Sequence, residues 1–588
     1  MAKNQEDLDK LRHSAAHLLA AAVIELYPKA KRAIGPAIKD GFYYDFDFGQ
    51  IKISKEELPK IEAKMRRIVA GWDKFAKKML TAAEAKKQHP QNPYKHELID
   101  EFSQGGKKKV SFYQAGDFAD LCRGGHVDNP ASQLKHFKLL SVAGAYWRGD
   151  EKNPMLTRIY GTIFPTQKEL DDYLEQQEEA KKRDHRILGQ ELGLFAFSDL
   201  VGKGLPLFTQ KGATIWRVLE RFVVDEEISR GYQHVRTPNL AKTDLYKKSG
   251  HYPYYKDTMY PPMVIDHEEL ILRPMTCPHH FALYQSKPRS YKDLPLRFAE
   301  MASLYRYEKS GELTGLIRVR EFTLADSHNF VRKSQAEDEV NLVLDLIEFI
   351  SQTLGLKKGQ DFYYRLSLGD RKNKTKYFDS PQDWDEAEKL LKKVLDDRHA
   401  PYETALDEAA FYGPKVDVQM KNVSGKEDTA FTVQYDFCLP ARFNLEYTNE
   451  KGESEQPVVI HRSSVGAMER SIGFLIEHYA GAFPVWLAPI QAVVLPVGRD
   501  HQAYAQKVAA GLTQAGIRVE LDDRNATLNA KVRDASGQKI PYILVVGDKE
   551  KQANSVAVRT RNNQNLGPMP LAKFSAQVVR AIEEKSLS

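Results

Sequence analysis

Apolar residues recur at helical spacing between Asp7 and Leu26, and the short segment Gly41-Phe42-Tyr43-Tyr44-Asp45-Phe46 reads as a strand. Residues 1–165 are therefore expected to form an α+β unit. A charged run from Thr166 to Arg186 interleaves acidic and basic residues with few apolar ones, the pattern of a solvated connector helix, placed at 166–190. Beyond it, strand-like runs at Gln233 to Thr237, Leu296 to Met301, Phe362 to Leu368, Phe431 to Phe437 and Val458 to Ile460 alternate with amphipathic helices such as Ala336 to Leu354. Many strands at irregular spacing predict a large antiparallel sheet with helices over 191–486. The last segment, 487–588, alternates differently. It reads as strand Gln491 to Leu495, helix Gln502 to Ala515, strand Val519 to Leu521, helix Leu528 to Gly537, strands Tyr542 to Val546 and Ser555 to Arg559, and helix Leu571 to Ile582. That rhythm predicts a small α/β domain with a largely parallel sheet.

Composition agrees with a multidomain globular chain: 588 residues, 42% hydrophobic and 28% charged, with no tandem repeat or low-complexity tract. The longest charge-free stretch, Tyr479 to Gly498, is broken by Pro484, Pro489 and Pro496, so strand and turn explain it better than a membrane span. The first residues lead into a polar segment without an apolar core, which points to the cytoplasm rather than secretion. Three cysteines, Cys122, Cys277 and Cys438, lie too far apart for a disulfide framework; any that matter should act as thiolates or ligands. Net charge is +6, and from Val485 onward 14 Lys and Arg stand against 9 Asp and Glu. A basic C-terminal domain points weakly to a polyanion, while a solvated surface explains the same charge.

Two constellations suggest chemistry. His13 and His17 share one helix face at i and i+4, and Asp120-Leu121-Cys122-Arg123-Gly124-Gly125-His126 adds a Cys and a His around a glycine turn. Together they form a quartet able to hold zinc or activate water. Farther on, Arg306 and Glu308 follow a strand-like run, a Gly-rich charged loop spans Lys309 to Gly315, and Arg318 lies in the next run, so arginines on adjacent antiparallel strands are expected to clamp carboxylate and polyphosphate. Arg470 enters an apolar helix that runs to Leu475.

The strand ending Val235-Arg236-Thr237-Pro238, the Arg306/Glu308 pair and the turn from Gly466 to Arg470 resemble motifs 1, 2 and 3 of class II aminoacyl-tRNA synthetases. More narrowly, His13-Ser14-x-x-His17, Leu121-Cys122-Arg123-Gly124-x-His126, Pro274-Met275-x-Cys277-Pro278, Phe411-Tyr412-Gly413-Pro414-Lys415, His461-Arg462 and Gly547-Asp548-Lys549-Glu550 resemble the threonyl-tRNA synthetase family, in order along essentially the whole chain. The chain is similar to a form lacking the small N-terminal ubiquitin-like domain. The resemblance implies an editing domain at 1–165, a class II catalytic domain at 191–486 and an anticodon-binding domain at 487–588. It implies ATP-dependent ligation of L-threonine to tRNA(Thr) through a threonyl-adenylate, hydrolytic editing of Ser-tRNA(Thr), Mg2+ with ATP, and a homodimer.

The resemblance also implies one zinc ion per chain on Cys277, His328 and His461. A three-ligand zinc keeps positions open for the amino group and β-hydroxyl of threonine. Valine lacks the hydroxyl and is rejected; serine lacks only a methyl, worth ~1–3 kcal/mol, and leaks through. Arg306 would meet the α-phosphate and the amino-acid carboxylate, Glu308 the adenine amino group, and Arg318 and Arg470 the remaining phosphates. Asp326 would accept from the threonine hydroxyl, Tyr412 and Gln434 face its ammonium, Lys415 stabilise the reacting phosphate, and His251 approach the tRNA 2′-OH. In the editing pocket His13, His17, Cys122 and His126 would act with Asp120 and Lys95, without a metal. Asn525, Glu550 and Arg559 would read anticodon bases.

Four positions depart from the family pattern: His279 and Phe431 replace glycines, Leu324-Ala325 replaces a Gln-Asp pair, and Gly125 replaces a proline. Phe431 is expected to narrow a pocket, and Leu324-Ala325 to lose or replace a polar contact. These departures keep open a synthetase-like RNA-binding protein that has lost aminoacylation. A hydrolase built on the N-terminal quartet is a third reading, but it leaves the downstream machinery unexplained.

Overall fold

The computed structural model describes residues 2–103, 109–422 and 427–587. It divides into two compact units, Met1–Glu178 and Glu179–Ser588.

In the first unit, helix Ala2–Leu26 lies with helix Leu58–Val69 on a five-stranded antiparallel sheet. Strand Gly41–Asp47 pairs there with Met155–Phe164, which pairs in turn with His136–Tyr146. Phe42, Tyr44 and Phe46 point with Leu18, Leu19, Ile61 and Met65 into one core. Asp45 is also buried, because Arg158 grips its carboxylate with two hydrogen bonds of 2.7 and 2.8 Å. A second, three-stranded sheet (Ala76–Thr81, Lys109–Ala115, Phe118–Leu121) carries Asp120 and leads straight into Cys122.

The charged connector is not one helix. It stops at Arg183, and Asp184 then leaves helical geometry (ψ 119°) and caps a separate helix, His185–Glu191, by accepting from Arg186 N at 2.8 Å.

The second unit is built on an eight-stranded sheet in the order Gln233–His234, Leu296–Tyr305, Glu321–Val331, Val458–Ala467, Glu427–Asp436, Lys415–Lys421, Phe362–Leu368, Tyr402–Leu406. The six central strands are antiparallel and only the two edge pairings are parallel. Helices Gln210–Ser229, Ala336–Thr353 and Met468–His478 contribute Ile215, Val340, Ile347 and Ile472 to its core.

Two further expectations about strands need correction. Arg306, Glu308 and Arg318 are not on strands: the strands end at Tyr305 and resume at Glu321, and the glycine- and charge-rich sequence between them forms the connecting loop. The C-terminal sheet is mixed rather than largely parallel. Its order is Val519–Leu521, Ala492–Pro496, Tyr542–Val546, Ser555–Thr560, Asn565–Pro570, with parallel pairing confined to the first three. A parallel crossover needs a dozen or more residues; the short helix Asp548–Ala553 and the turn before Asn565 can only reverse the chain. Helices Gln502–Gln514 and Leu571–Glu583 cover one face of this sheet and Leu528–Gly537 the other. Among the described residues, no helix is long and apolar enough to cross a membrane.

Candidate active site and editing pocket

A cavity of about 620 Å³ opens on the large sheet of the second unit. Cross-strand register puts His328 directly opposite His461, with ring centroids 4.5 Å apart, and Cys277 enters from the first turn of helix Cys277–Tyr284. One ligand atom from each of the three lies within 4.8 Å of the other two, and all three residues are buried. Behind them, His461 Nε2 bonds Asp436 Oδ2 at 2.8 Å, and His328 Nδ1 meets His280 Nδ1 at 2.9 Å. His280 Nε2 continues to Glu300 at 3.2 Å. Burial raises the Cys277 thiol well above its ordinary pKa, reinforced by Asp326 and Asp436, and burial lowers His328 far below its own. One cysteine sulfur and two imidazoles, with their outer hydrogen bonds, are a donor set that fits a tetrahedral zinc with an open position, the thiol proton leaving as the metal binds.

Arg306, Glu308, Arg318, Asp326, Tyr412, Lys415, Gln434 and Arg470 line the same cavity. The Arg306 guanidinium lies over the Phe322 ring (5.1 Å) and, among the described residues, has no hydrogen-bond or ion-pair partner of its own. Arg318 is paired with Glu308 at 2.8 Å, and Arg470 donates to the carbonyls of Ile317 and Thr429 at 3.0 and 2.6 Å. Lys415 rests on Asp417 at 2.9 Å, a fully buried carboxylate that also accepts from Ser367 Oγ and Arg365. The Tyr412 hydroxyl bonds Gln434, and its ring stacks on His461. Burial raises the pKa of Asp326. His251 is fully buried, its Nε2 3.9 Å from Cys277 Sγ and its Nδ1 2.8 Å from Ser249 Oγ.

Of the departures, only Leu324 lines the cavity. Ala325 turns into the core, and His279 is buried beside Tyr246. Phe431 does not narrow the cavity: strand alternation turns Thr432 and Gln434 toward it and Phe431 into the core.

The first unit holds a second cavity, about 890 Å³, lined by His13, His17, Tyr44, Lys95, Asp120 and Cys122. Cys122 Sγ lies 3.3 Å from His13 Nε2 and 3.2 Å from His126 Nε2, while Ser14 Oγ meets His126 Nδ1 at 3.2 Å. The turn depends on glycine. Gly124 has φ +103° and a Cβ there would fall 2.5 Å from the Tyr113 hydroxyl; Gly125 has φ +85°, a conformation closed to the proline of the family pattern. Burial pushes the Cys122 thiol up to about 12 and His126 down to about 3, and lowers His13 and His17 as well. Lys95 Nζ bonds Asp120 at 2.8 Å, and the Tyr44 hydroxyl donates to the same carboxylate. Burial opposes the Asp120 charge, but Lys95 and Arg32 outweigh it and hold the carboxyl far below its ordinary value.

In the C-terminal sheet, Asn525 follows strand Val519–Leu521, Glu550 caps helix Asp548–Ala553 by accepting from Gly547 N at 2.9 Å, and Arg559 stands opposite Ile543. They occupy three separate elements. Residues missed by sequence reasoning include Asp417, Asp436, His280 and Glu300. Only Asp417 left a trace, two residues from Lys415 on one strand and so on the same face.

An antiparallel sheet with this loop and turn matches the class II tRNA synthetase core domain (G, H, P, S and T) over residues 263–479, and an anticodon binding domain matches 491–581. Residues 110–160 match the second additional domain of threonyl and alanyl tRNA synthetases. The fold and site thus define a class II aminoacyl-tRNA synthetase. The chain is 50% identical over 582 residues to the threonine–tRNA ligase of Anoxybacillus flavithermus, covering 98% of this chain and 89% of that one. It is 48% identical to that of Staphylococcus carnosus, covering 99% and 89%. A threonyl-tRNA synthetase structure from Cryptosporidium parvum, described as its RNA binding domain, superposes with a TM-score of 0.64 at 34% identity, covering 69% of this chain and 99% of that one. The chain belongs to the threonine–tRNA ligase family.

Proposed function

We propose that the chain activates L-threonine with ATP, transfers it from threonyl-adenylate to tRNA(Thr), and hydrolyses Ser-tRNA(Thr) at a separate site. Catalysis is assigned to 191–486, editing to 1–165 with 166–190 as connector, and anticodon binding to 487–588. One observation carries the reading: Cys277, His328 and His461, far apart in sequence, meet on the wall of the cavity that also holds Arg306, Arg318, Lys415 and Arg470.

In the activation step a threonine carboxylate oxygen attacks the α-phosphorus, and the bond to the β-phosphate oxygen breaks to release pyrophosphate. The unpaired Arg306 guanidinium is available for the α-phosphate and the carboxylate together. Lys415, fixed on buried Asp417, presents its charge without reorganising. Glu308 takes the adenine amino group, while Arg318 and Arg470 take phosphates. Because Glu308 and Arg318 touch each other, both can serve one ATP only if its triphosphate folds back toward the base. Cys277, His328 and His461 would hold zinc, which supplies Lewis-acid recognition of the amino and hydroxyl groups of threonine. Asp326 accepts from the hydroxyl, and Tyr412 with Gln434 faces the ammonium. Valine would offer Asp326 no hydroxyl donor, whereas serine does.

That leak calls for the second site. His13, His17, Cys122 and His126, held neutral by burial, position water and polarise the ester without a metal, next to the Lys95–Asp120 pair. Asn525, Glu550 and Arg559 read the anticodon, and His251 aids transfer to the tRNA 2′-OH. Mg2+ accompanies ATP. The same reading makes the protein a cytoplasmic homodimer, supported by exposed Leu240, Met263, Val264 and Ile265 on one small sheet.

The test is ATP–pyrophosphate exchange with threonine, serine and valine, with zinc determined on the same sample. Exchange with threonine and serine but not valine, at one zinc per chain, is expected. Equal exchange with valine would overturn the recognition scheme.

A further inference from the structure

His185 belongs to none of the residue sets described so far. It opens helix His185–Glu191, is 2% exposed, and meets segments 131 and 292 residues away. Its Nδ1 lies 2.7 Å from Glu477 Oε1, on helix Met468–His478, the helix that carries Arg470. Its Nε2 lies 3.0 Å from the backbone nitrogen of Leu316, in the loop that carries Arg306, Glu308 and Arg318.

The partners fix the tautomer. A backbone N–H can only donate, so Nε2 is the acceptor and carries no proton. The proton is therefore on Nδ1, donated to the Glu477 carboxylate. Close packing keeps the ring in place: a Cβ at Gly315, where φ is +50°, would fall 2.2 Å from Nε2, and one at Gly473 would lie 3.6 Å from Cδ2. Asp184, Glu477 and this ring bring ligand atoms within 4.8 Å, but Asp184 is turned onto Arg186 and Nδ1 is committed to Glu477. A metal would have to break both contacts.

The contact falls where the loop needs an anchor. Leu316, Ile317 and Arg318 all line the cavity. Local hydrogen bonds to Thr314 O from Ile317 N (2.9 Å) and Arg318 N (3.3 Å) make only a turn. Besides the packing of Leu316 and Ile317 in the core, two hydrogen bonds among the described residues tie that turn to the body of the domain: His185 at the Leu316 N–H, and Arg470 Nε at the Ile317 carbonyl, 3.0 Å. Loss of the first removes the hydrogen bond on the side of the turn away from Arg470, two residues from Arg318, and leaves the buried Leu316 side chain and the Arg470 contact to hold it.

We propose that His185 is a positioning residue for ATP: oriented by Glu477, its neutral imidazole holds the Leu316 N–H and so keeps Arg318 in register with Arg470. This rests on the reading of the cavity as the ATP site. A 1 Å misplacement of a positioning group can cost about 100-fold, and because the anchored turn carries Arg318, which is assigned to ATP and not to threonine, loss of the anchor should appear in the use of ATP first.

The experiment is ATP–pyrophosphate exchange by the full chain with ATP and threonine varied separately, and thermal melting of the same samples. In His185→Phe the KM for ATP is expected to rise about 10- to 100-fold with the KM for threonine within about twofold. His185→Gln, whose Oε1 can accept from the Leu316 N–H, should recover most of the loss. Glu477→Met, which removes the orienting acceptor and leaves the ring, should fall between them and serves if His185→Phe does not fold. A lower melting temperature with unchanged KM for ATP, or no recovery in His185→Gln relative to His185→Phe, would overturn the assignment. Absence of threonine-dependent exchange in the wild type would instead sink the ATP-site reading itself.

Discussion

The chain holds two Cys/His clusters of similar composition, and they differ in what stands behind their imidazoles. In the central trio, His461 is backed by Asp436, and His328 by His280 and then Glu300. In the N-terminal quartet the rings face Cys122, Ser14 and one another. Among the described residues, no carboxylate hydrogen-bonds a ring nitrogen of His13, His17 or His126. Asp120, in the same pocket, is engaged by Lys95 and Tyr44. A carboxylate behind a ring fixes its tautomer and makes it a stronger ligand. Rings left neutral in a buried pocket are better placed to relay protons or hold water. The residue types are shared; the outer hydrogen bonds separate the proposed zinc centre from the proposed metal-free pocket.

The largest expected effect breaks the comparison outright. Cys277→Ala should lose its zinc and its threonine-dependent exchange, falling at least about 100-fold since even outer partners cost 10–100-fold. Cys122→Ala should keep both, and zinc analysis alongside exchange kinetics reads the contrast; equal zinc loss in the two would make the clusters alike. Next comes the reciprocal variant. His13→Ala with His17→Ala should slow deacylation of preformed Ser-tRNA(Thr) by about 100- to 10,000-fold while leaving exchange unchanged, and wild-type rates that survive a chelator would support the metal-free pocket.

Asp436→Asn tests the outer bond alone. Zinc affinity, measured by competition with a chromophoric chelator, should weaken about 10- to 100-fold, with the deacylation rate as internal control.

The smallest effect is on stability. His126 has an ordinary pKa of about 6.5 and a folded value near 3, so below about 6.5 the unfolded chain binds the extra proton. Its contribution is present above that pH and is lost as pH falls toward 3. Denaturant midpoints should show that acid slope in the wild type and a shallower one in His126→Gln. An identical slope would mean that the ring is protonated in the folded state.

Much of the local structure was written in the chain's own periodicity. Phe362–Leu368, Val519–Leu521, Leu528–Gly537 and Tyr542–Val546 form where alternation or helical spacing predicted them, because each segment buries its own apolar face. His13 and His17 were legible as one helix face for the same reason. Neighbours across a sheet were not. His328 opposite His461 and Asp436 behind that ring depend on strand register, and Glu300 behind His280 on how a helix packs against a strand; both are set by the folded core. The proposed zinc trio therefore needed family resemblance, and the carboxylates behind it left no signal. The parallel pairings expected at the C-terminus failed where connection length, rather than strand propensity, determines direction. Sequence by itself determined the elements and the residue types available for chemistry, since both follow from spacing along one segment. Tertiary structure alone decided which imidazoles have a carboxylate at their backs and which backbone N–H meets His185, because those distances are set by packing between segments far apart in the chain.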